Sequence, residues 1–157
     1  MDETHSPPLA LDQLPGHLIR RLHQIAVGIF LDESRQFDLT PVQFAALDAI
    51  CARPGLDQIG LSGAIAFDRT TIGGVVERLE AKGLIDRRVG QADRRTRELY
   101  ITEQGRQLLD AITPAVLRTQ ERILYPLAPE ERRQVLILLD KLVSQNNPFS
   151  RSPIKGD

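Results

Sequence analysis

Arginines crowd one short stretch of this sequence. RRVGQADRRTREL at positions 87–99 holds Arg87, Arg88, Arg94, Arg95 and Arg97, and between positions 87 and 97 the one acid is Asp93. The chain carries a formal net charge of -1, so this positive charge is local. Guanidinium groups at such density suit phosphate, which they meet with forked, permanently charged donors. An isolated charge run is usually a solvated face, so its meaning depends on what surrounds it. Gly90 offers a place for the chain to turn. Asp93 is placed to hold an arginine by a charged hydrogen bond, with Arg94 and Arg95 as the contacts at the tip.

The neighbouring elements decide the matter. DRTTIGGVVERLEAKG at 68–83 reads as a helix, with Asp68 as N-cap, Val75, Val76 and Leu79 as its buried stripe and Gly83 as its C-cap. LDQIGLSGAIAF before it is a second short helix, and two short helices joined by a tight turn make a helix-turn-helix. LIDRRV and RELYI flank GQADRRT and alternate in polarity, which predicts a hairpin with a basic tip. A recognition helix fits the major groove of DNA. A narrow hairpin reaches the adjacent minor groove, where arginine inserts well. Double-stranded DNA is therefore the expected partner of the cluster.

Longer helices frame this unit. TPVQFAALDAICARPG opens with Thr40 as N-cap, Pro41 at the first helical position and Gln43 to complete a capping box; Phe44, Leu47 and Ile50 or Cys51 form its inner face. Upstream, Leu14, Leu18, Leu22, Ile25 and Ile29 recur at helical spacing, with Ile19, Ala26 and Phe30 beside them. So wide an apolar face predicts burial on two sides. Downstream, Leu108, Leu109, Ile112, Val116 and Ile123 mark a long helix that Pro114 should bend. A last helix carries Val135, Leu136, Leu138, Leu139, Leu142 and Val143, a face too apolar to leave in water. Either these helices pack on their own domain, or a second copy of the chain covers them. In a symmetric dimer the recognition helices would stand about one DNA turn, ~34 Å, apart.

The expected architecture is mainly α with a small two-stranded β wing. Residues 39–101 form a winged helix-turn-helix, 14–38 and 102–145 form dimerisation helices, 1–13 a mobile arm and 146–157 a mobile tail. The 157 residues suffice for one domain with a real core. The single cysteine, Cys51, makes no internal disulfide, no apolar run reaches the ~18 residues of a membrane helix, and the acidic start is unlike a signal peptide. A cytoplasmic protein is expected, with no membrane partner.

LTPVQFAAL at 39–47, RTTIGGVVERLEAKGLIDR at 69–87 and DRRTRELYITEQG at 93–105 resemble the MarR family of winged-helix repressors. The last motif is the most specific: Asp, Arg, Arg, a short strand, then Thr-x-x-Gly opening a helix. The resemblance spans about residues 14–143 and implies a homodimer on a palindromic operator, released by a small molecule. Such proteins often have Thr and Arg where this chain has Gly73 and Gly74. That departure shifts expected base reading toward Arg69, Thr70 and Thr71, with Gly73 letting the backbone approach closely. The same resemblance leaves Arg78 and Arg87 between phosphate contact and pairing with Glu77, Glu80 or Asp86. Ser62 stands between a phosphate contact and an internal cap of the turn.

In this family the space between the first two helices and the dimer helices often holds an aromatic acid. His17, Arg20, Arg21 and His23 gather at the start of the first helix, and a carboxylate wants arginine or protonated histidine. The expected effector site is His17, Arg20 and His23, completed by Phe44 and Asp48; ordinary packing or ion pairing is the alternative. GHLIRRLHQIAVGIFLDE with FDLTPVQFAAL also looks like the branch of the family that represses nicotinic acid degradation, which implies a hydroxylated nicotinic acid, such as 6-hydroxynicotinic acid, as effector.

An enzyme is not expected. G-x-G-x-x-G, P-loop, H-E-x-x-H and C-x-x-C motifs are missing. His5, His17 and His23 lack a recognised ligand spacing, so no metal and no cofactor are expected. Cys51 reads as a helix-face core residue, with redox sensing as the lesser alternative. The rival function is a helical protein-interaction module with a basic hairpin and no specific operator.

Overall fold

The computed structural model describes residues 10–154. His5 and most of the expected arm lie outside the described residues. Within the arm, Leu11–Gln13 form one 3-10 turn that leads into α1, Pro15–Glu33. There follow α2 (Pro41–Ala52), α3 (Gln58–Ile65), α4 (Arg69–Ala81), β1 (Ile85–Val89), β2 (Arg97–Ile101), α5 (Glu103–Leu124) and α6 (Pro129–Asn146).

Local chemistry sets the helix starts. The Thr40 hydroxyl accepts from the Gln43 amide while the Gln43 side chain accepts from the Thr40 amide, closing the capping box. Asp57 caps α3 at Gly60 N, 2.7 Å. Asp68 caps α4, and Thr102 caps α5 at Gly105 N, 3.0 Å. Gly83, just past α4, takes φ +71°, the left-handed conformation that releases the chain into β1.

One core joins these elements. Ala46, Leu47 and Ile50 of α2, Leu61 of α3, Ile72, Val76 and Leu79 of α4, Leu99 of β2 and Ile112 of α5 are fully buried together. Phe44 and Cys51, expected on the inner face of α2, pack against this core from its edge. The strands pair antiparallel, Ile85 opposite Ile101 and Val89 opposite Arg97. Leu99 also bridges to Leu56, tying the hairpin to the turn between α2 and α3.

Three expectations need correction or refinement. First, α1 does not bury its wide apolar face within one chain. Leu18, Ile19, Leu22 and Ile25 stay exposed, and Phe30 is its one buried residue. Second, Pro114 lies inside α5 without ending it, in one helical span of 22 residues. Third, the expected tail takes shape over its described part. Asn147–Phe149 form a 3-10 turn, and the Asn147 side chain bonds both backbone groups of Ile154.

The end of α1 is fastened to α5. Arg118 Nε donates to Glu33 at 2.8 Å, and Arg122 Nη1 donates to Asp32 at 2.7 Å and to Glu33 at 2.8 Å. These bonds, first from Arg122 for Asp32 and from Arg118 for Glu33, hold both carboxyl groups below their ordinary range. α6 is different: none of its residues is buried, and Leu136, Leu138, Leu142 and Val143 are each more than half exposed.

Candidate nucleic-acid interface

The recognition helix begins at a cap that organises its first turn. Asp68 Oδ1 accepts from Thr71 N at 2.9 Å, and Asp68 Oδ2 accepts from Thr71 Oγ1 at 2.8 Å. The Thr71 bonds hold the Asp68 carboxyl below its ordinary value. Arg69, Thr70 and Thr71 are all exposed here. The Thr71 hydroxyl is thus used by the cap, and its methyl group is not.

Ile72, Val75, Val76 and Leu79 turn one side of α4 into the core. At 100° per residue, Thr70 and Gly74 then lie opposite, on the outward face. An added Cβ at Gly74 would meet no heavy atom within 4 Å, and one at Gly73 would meet only Gln58 Nε2 at 3.6 Å. Neither glycine is demanded by the chain's own packing.

The wing differs from expectation in its detail. Asp93 holds no guanidinium; its carboxylate accepts from the backbone N–H of Arg95 at 2.8 Å, and its carbonyl accepts from Thr96 N and Thr96 Oγ1. Gly90 is buried and is needed for space rather than for its turn angle. A Cβ there would lie 2.2 Å from Thr96 Oγ1 and 2.6 Å from the Asp93 carbonyl. Arg97 bonds the carbonyls of Arg94 and Thr96. Arg94 and Arg95 stand exposed at the tip.

Partners separate the arginines into two groups. Arg87 Nε donates to Glu80 at 2.8 Å, and that bond raises the Arg87 pKa further. Of its two expected roles, the structure favours internal pairing. Arg88 lies 4.5 Å from the centre of the Tyr100 ring. By contrast, among the described residues Arg69, Arg78, Arg94 and Arg95 take part in no ion pair. Unpaired exposed guanidinium groups are the ones free to meet phosphate. Ser62 goes the other way: it is buried, and its hydroxyl donates to the Phe67 carbonyl at 2.5 Å. It caps the turn between α3 and α4 rather than facing a phosphate.

The five expected effector residues line neither of two open cavities among the described residues. His17 is half-buried, Arg20 bonds Gln24 at 2.9 Å, and His23 and Asp48 are exposed. The Phe44 ring packs against Phe30, with centroids 6.1 Å apart. An open cavity of about 330 Å³ lies between Leu31, Arg35, Asp38, Gln43, Arg78 and Lys82. Another, about 400 Å³ and apolar, lies between Ile19, Leu139, Leu142 and Val143. None of the five lines either. Cys51 is half-buried, with Arg106 Nη1 at 3.5 Å from its sulfur.

The sequence reading passed over Glu98 and Tyr100. Their i, i+2 spacing on a strand was the available signal, since it sets both on one face; that Arg88 stands opposite Glu98 needed the register.

A capped helix with an outward face, followed by an arginine-tipped wing, is the arrangement expected of a DNA-reading unit, and the chain resembles known DNA-binding proteins. The MarR family model matches residues 37–96. The HTH-type transcriptional repressor NicR of Pseudomonas putida is 34% identical over 139 residues, 88% of each chain. The chain belongs to the MarR family. It is thus a DNA-binding transcriptional regulator and not an enzyme. Its fold matches that of Bordetella bronchiseptica BpsR, whose DNA binding is regulated by 6-hydroxynicotinic acid, with a TM-score of 0.81 at 32% identity over 87% of this chain and 97% of that one. It also matches the repressor CouR bound to a 23-mer DNA duplex, with a TM-score of 0.79 at 26% identity over 88% and 99% of the two chains. Among the described residues, no helix of this MarR protein is long and apolar enough to cross a membrane.

Proposed function

We propose that this protein is a cytoplasmic, homodimeric repressor that holds a palindromic operator and releases it when a small aromatic acid binds. The observation that carries the DNA reading is the pairing of a capped, outward-facing α4 with a wing whose Arg94 and Arg95 have no ion partner among the described residues. The dimer reading rests on α1 and α6, where Ile19, Ile25, Leu136, Ile137, Leu138 and Leu142 are each more than half exposed in one chain. Taking such a side chain from full exposure to full burial is worth about 1.5–3 kcal/mol, so completing the burial of half-exposed ones is worth about half that each, and a second copy gains by covering them.

His17, Arg20 and His23 on α1, with Phe44 and Asp48 on α2, are the residues we assign to the effector, the partner chain's helices closing the site. A carboxylate would take Arg20 and a protonated histidine. The similarity to NicR and to BpsR supports 6-hydroxynicotinic acid as that effector, and nicotinate breakdown as the controlled process. An effector that binds one dimer arrangement better than another shifts the population away from the spacing that fits DNA.

The test is fluorescence anisotropy on DNA from immediately upstream of the protein's own coding sequence, against a scrambled duplex, at two salt concentrations. Specific, salt-steep binding that 6-hydroxynicotinic acid reverses is the expected result. Equal, weak binding to both duplexes would replace this reading with the interaction module.

A further inference from the structure

We propose that Glu98, an acid inside the arginine-rich wing, is a positioning residue for DNA binding: with Tyr100 it braces the wing tip so that Arg94 and Arg95 are held toward the phosphate backbone. This rests on the reading of the wing as a DNA contact.

β2 is anchored at Leu99. Its N–H donates to the Leu56 carbonyl at 2.8 Å, and its carbonyl accepts from Gly55 N at 2.9 Å. Strand pairing ends at Val89 and Arg97, so the residues beyond must be held by other means. Asp93, Thr96 and Gly90 close the tip upon itself. Glu98 joins that tip to the anchored part of the strand. One carboxylate oxygen accepts from Gln91 N at 3.3 Å, and the other accepts from the Tyr100 hydroxyl at 2.8 Å.

Tyr100 is itself held in place. Arg88 covers its ring, and the missing Cβ of Gly55 leaves room for its hydroxyl, which such an atom would approach to 3.3 Å. The bond to Glu98 pushes the Tyr100 phenol above its ordinary value of 10.0, which keeps the O–H protonated and donating. A path of contacts therefore runs from the turn at Gly55 through Tyr100 and Glu98 to Gln91. Charge alone argues the opposite role. A carboxylate among arginines repels DNA, and its removal should tighten binding. The two accounts differ in sign.

Glu98→Ala, Glu98→Gln and Arg95→Ala are compared with the unaltered protein by two measurements. One is affinity for the duplex from upstream of its own coding sequence. The other is amide hydrogen exchange at Gln91 and Thr96 without DNA. With a brace, Glu98→Ala speeds exchange at the tip and weakens binding about five-fold or more, the scale of one lost hydrogen bond, despite the favourable change of charge. Glu98→Gln restores both, since its carbonyl can accept from Gln91 N and its amide can donate to the Tyr100 oxygen. Equal tightening by Ala and Gln, or unchanged exchange in Glu98→Ala, overturns the brace. If Arg95→Ala weakens binding and Glu98→Ala does not, the brace alone fails. If Arg95→Ala binds as well as the unaltered protein, the wing reading fails, and the brace with it.

Discussion

Replacing Gly74 by alanine should stabilise the free protein and loosen its hold on DNA. In the free chain the new methyl group has open space, with no heavy atom within 4 Å. Alanine is favoured over glycine inside a helix by about 1 kcal/mol. For a chain of this size that corresponds to a rise in Tm of about 2–4 °C, measured at fixed concentration because the proposed dimerisation would make Tm depend on it. On DNA the balance reverses. Gly74 lies on the face of α4 opposite Ile72 and Val76, one turn beyond Thr70, where the groove wall would stand. A methyl group forced into a close-packed contact costs about 1–3 kcal/mol, or about 5- to 150-fold in affinity. Thermal melting and anisotropy on the same sample read both signs. A fall in Tm would show that the chain itself needs the glycine. A rise in Tm with unchanged affinity would refute the close approach of α4 to DNA.

The two groups of arginines should separate by salt dependence. Arg95→Ala should lower the slope of log affinity against log salt by about one. Arg87→Ala should leave the slope alone and instead lower the melting temperature, because it strands Glu80. Leu142→Glu should convert the protein to monomers in analytical ultracentrifugation, since it places a charge on the apolar face of α6; a dimer that survives would move the interface elsewhere. The α4 cap should depend on pH in one direction. Asp68 is held below its ordinary value of 3.8 by bonds that need the carboxylate. Its contribution is therefore complete above about pH 4 and is lost as pH falls through its lowered folded value. Protection of the Thr71 amide, taken against its intrinsic exchange rate at each pH, should fall in that range, and Asp68→Ala should show the low protection at every pH.

Much of this molecule was legible in the chain because its signals are local. A cap acts within three residues, so Thr40 with Gln43, Asp68 with Thr71 and Thr102 with Gly105 are each written three positions apart. The alternation of LIDRRV and RELYI fixes a hairpin without reference to anything distant. Order along the chain was enough to set an arginine tip behind a helix-turn-helix. What partners each arginine was not written there. Arg87 and Glu80 lie on different elements, and only their packing makes them a pair. Asp93 had the right position but the wrong expected bond, since the tip folds tightly enough to offer it the Arg95 amide first. Ser62 could be placed only once the turn to Phe67 closed over it.

The same division explains the long helices. Hydrophobic spacing determined that α1 and α6 carry apolar faces, for it depends on residue type and period alone. Whether a face is covered depends on which surfaces one chain brings together. The core formed by α2 to α5 and the hairpin is already closed, so it leaves α6 outside and most of α1 uncovered. Residue types and spacing thus determined the helices, their caps and the charge of the wing. Tertiary structure decided which charges are paired within the fold, which stay unpaired, and which apolar faces one chain leaves uncovered.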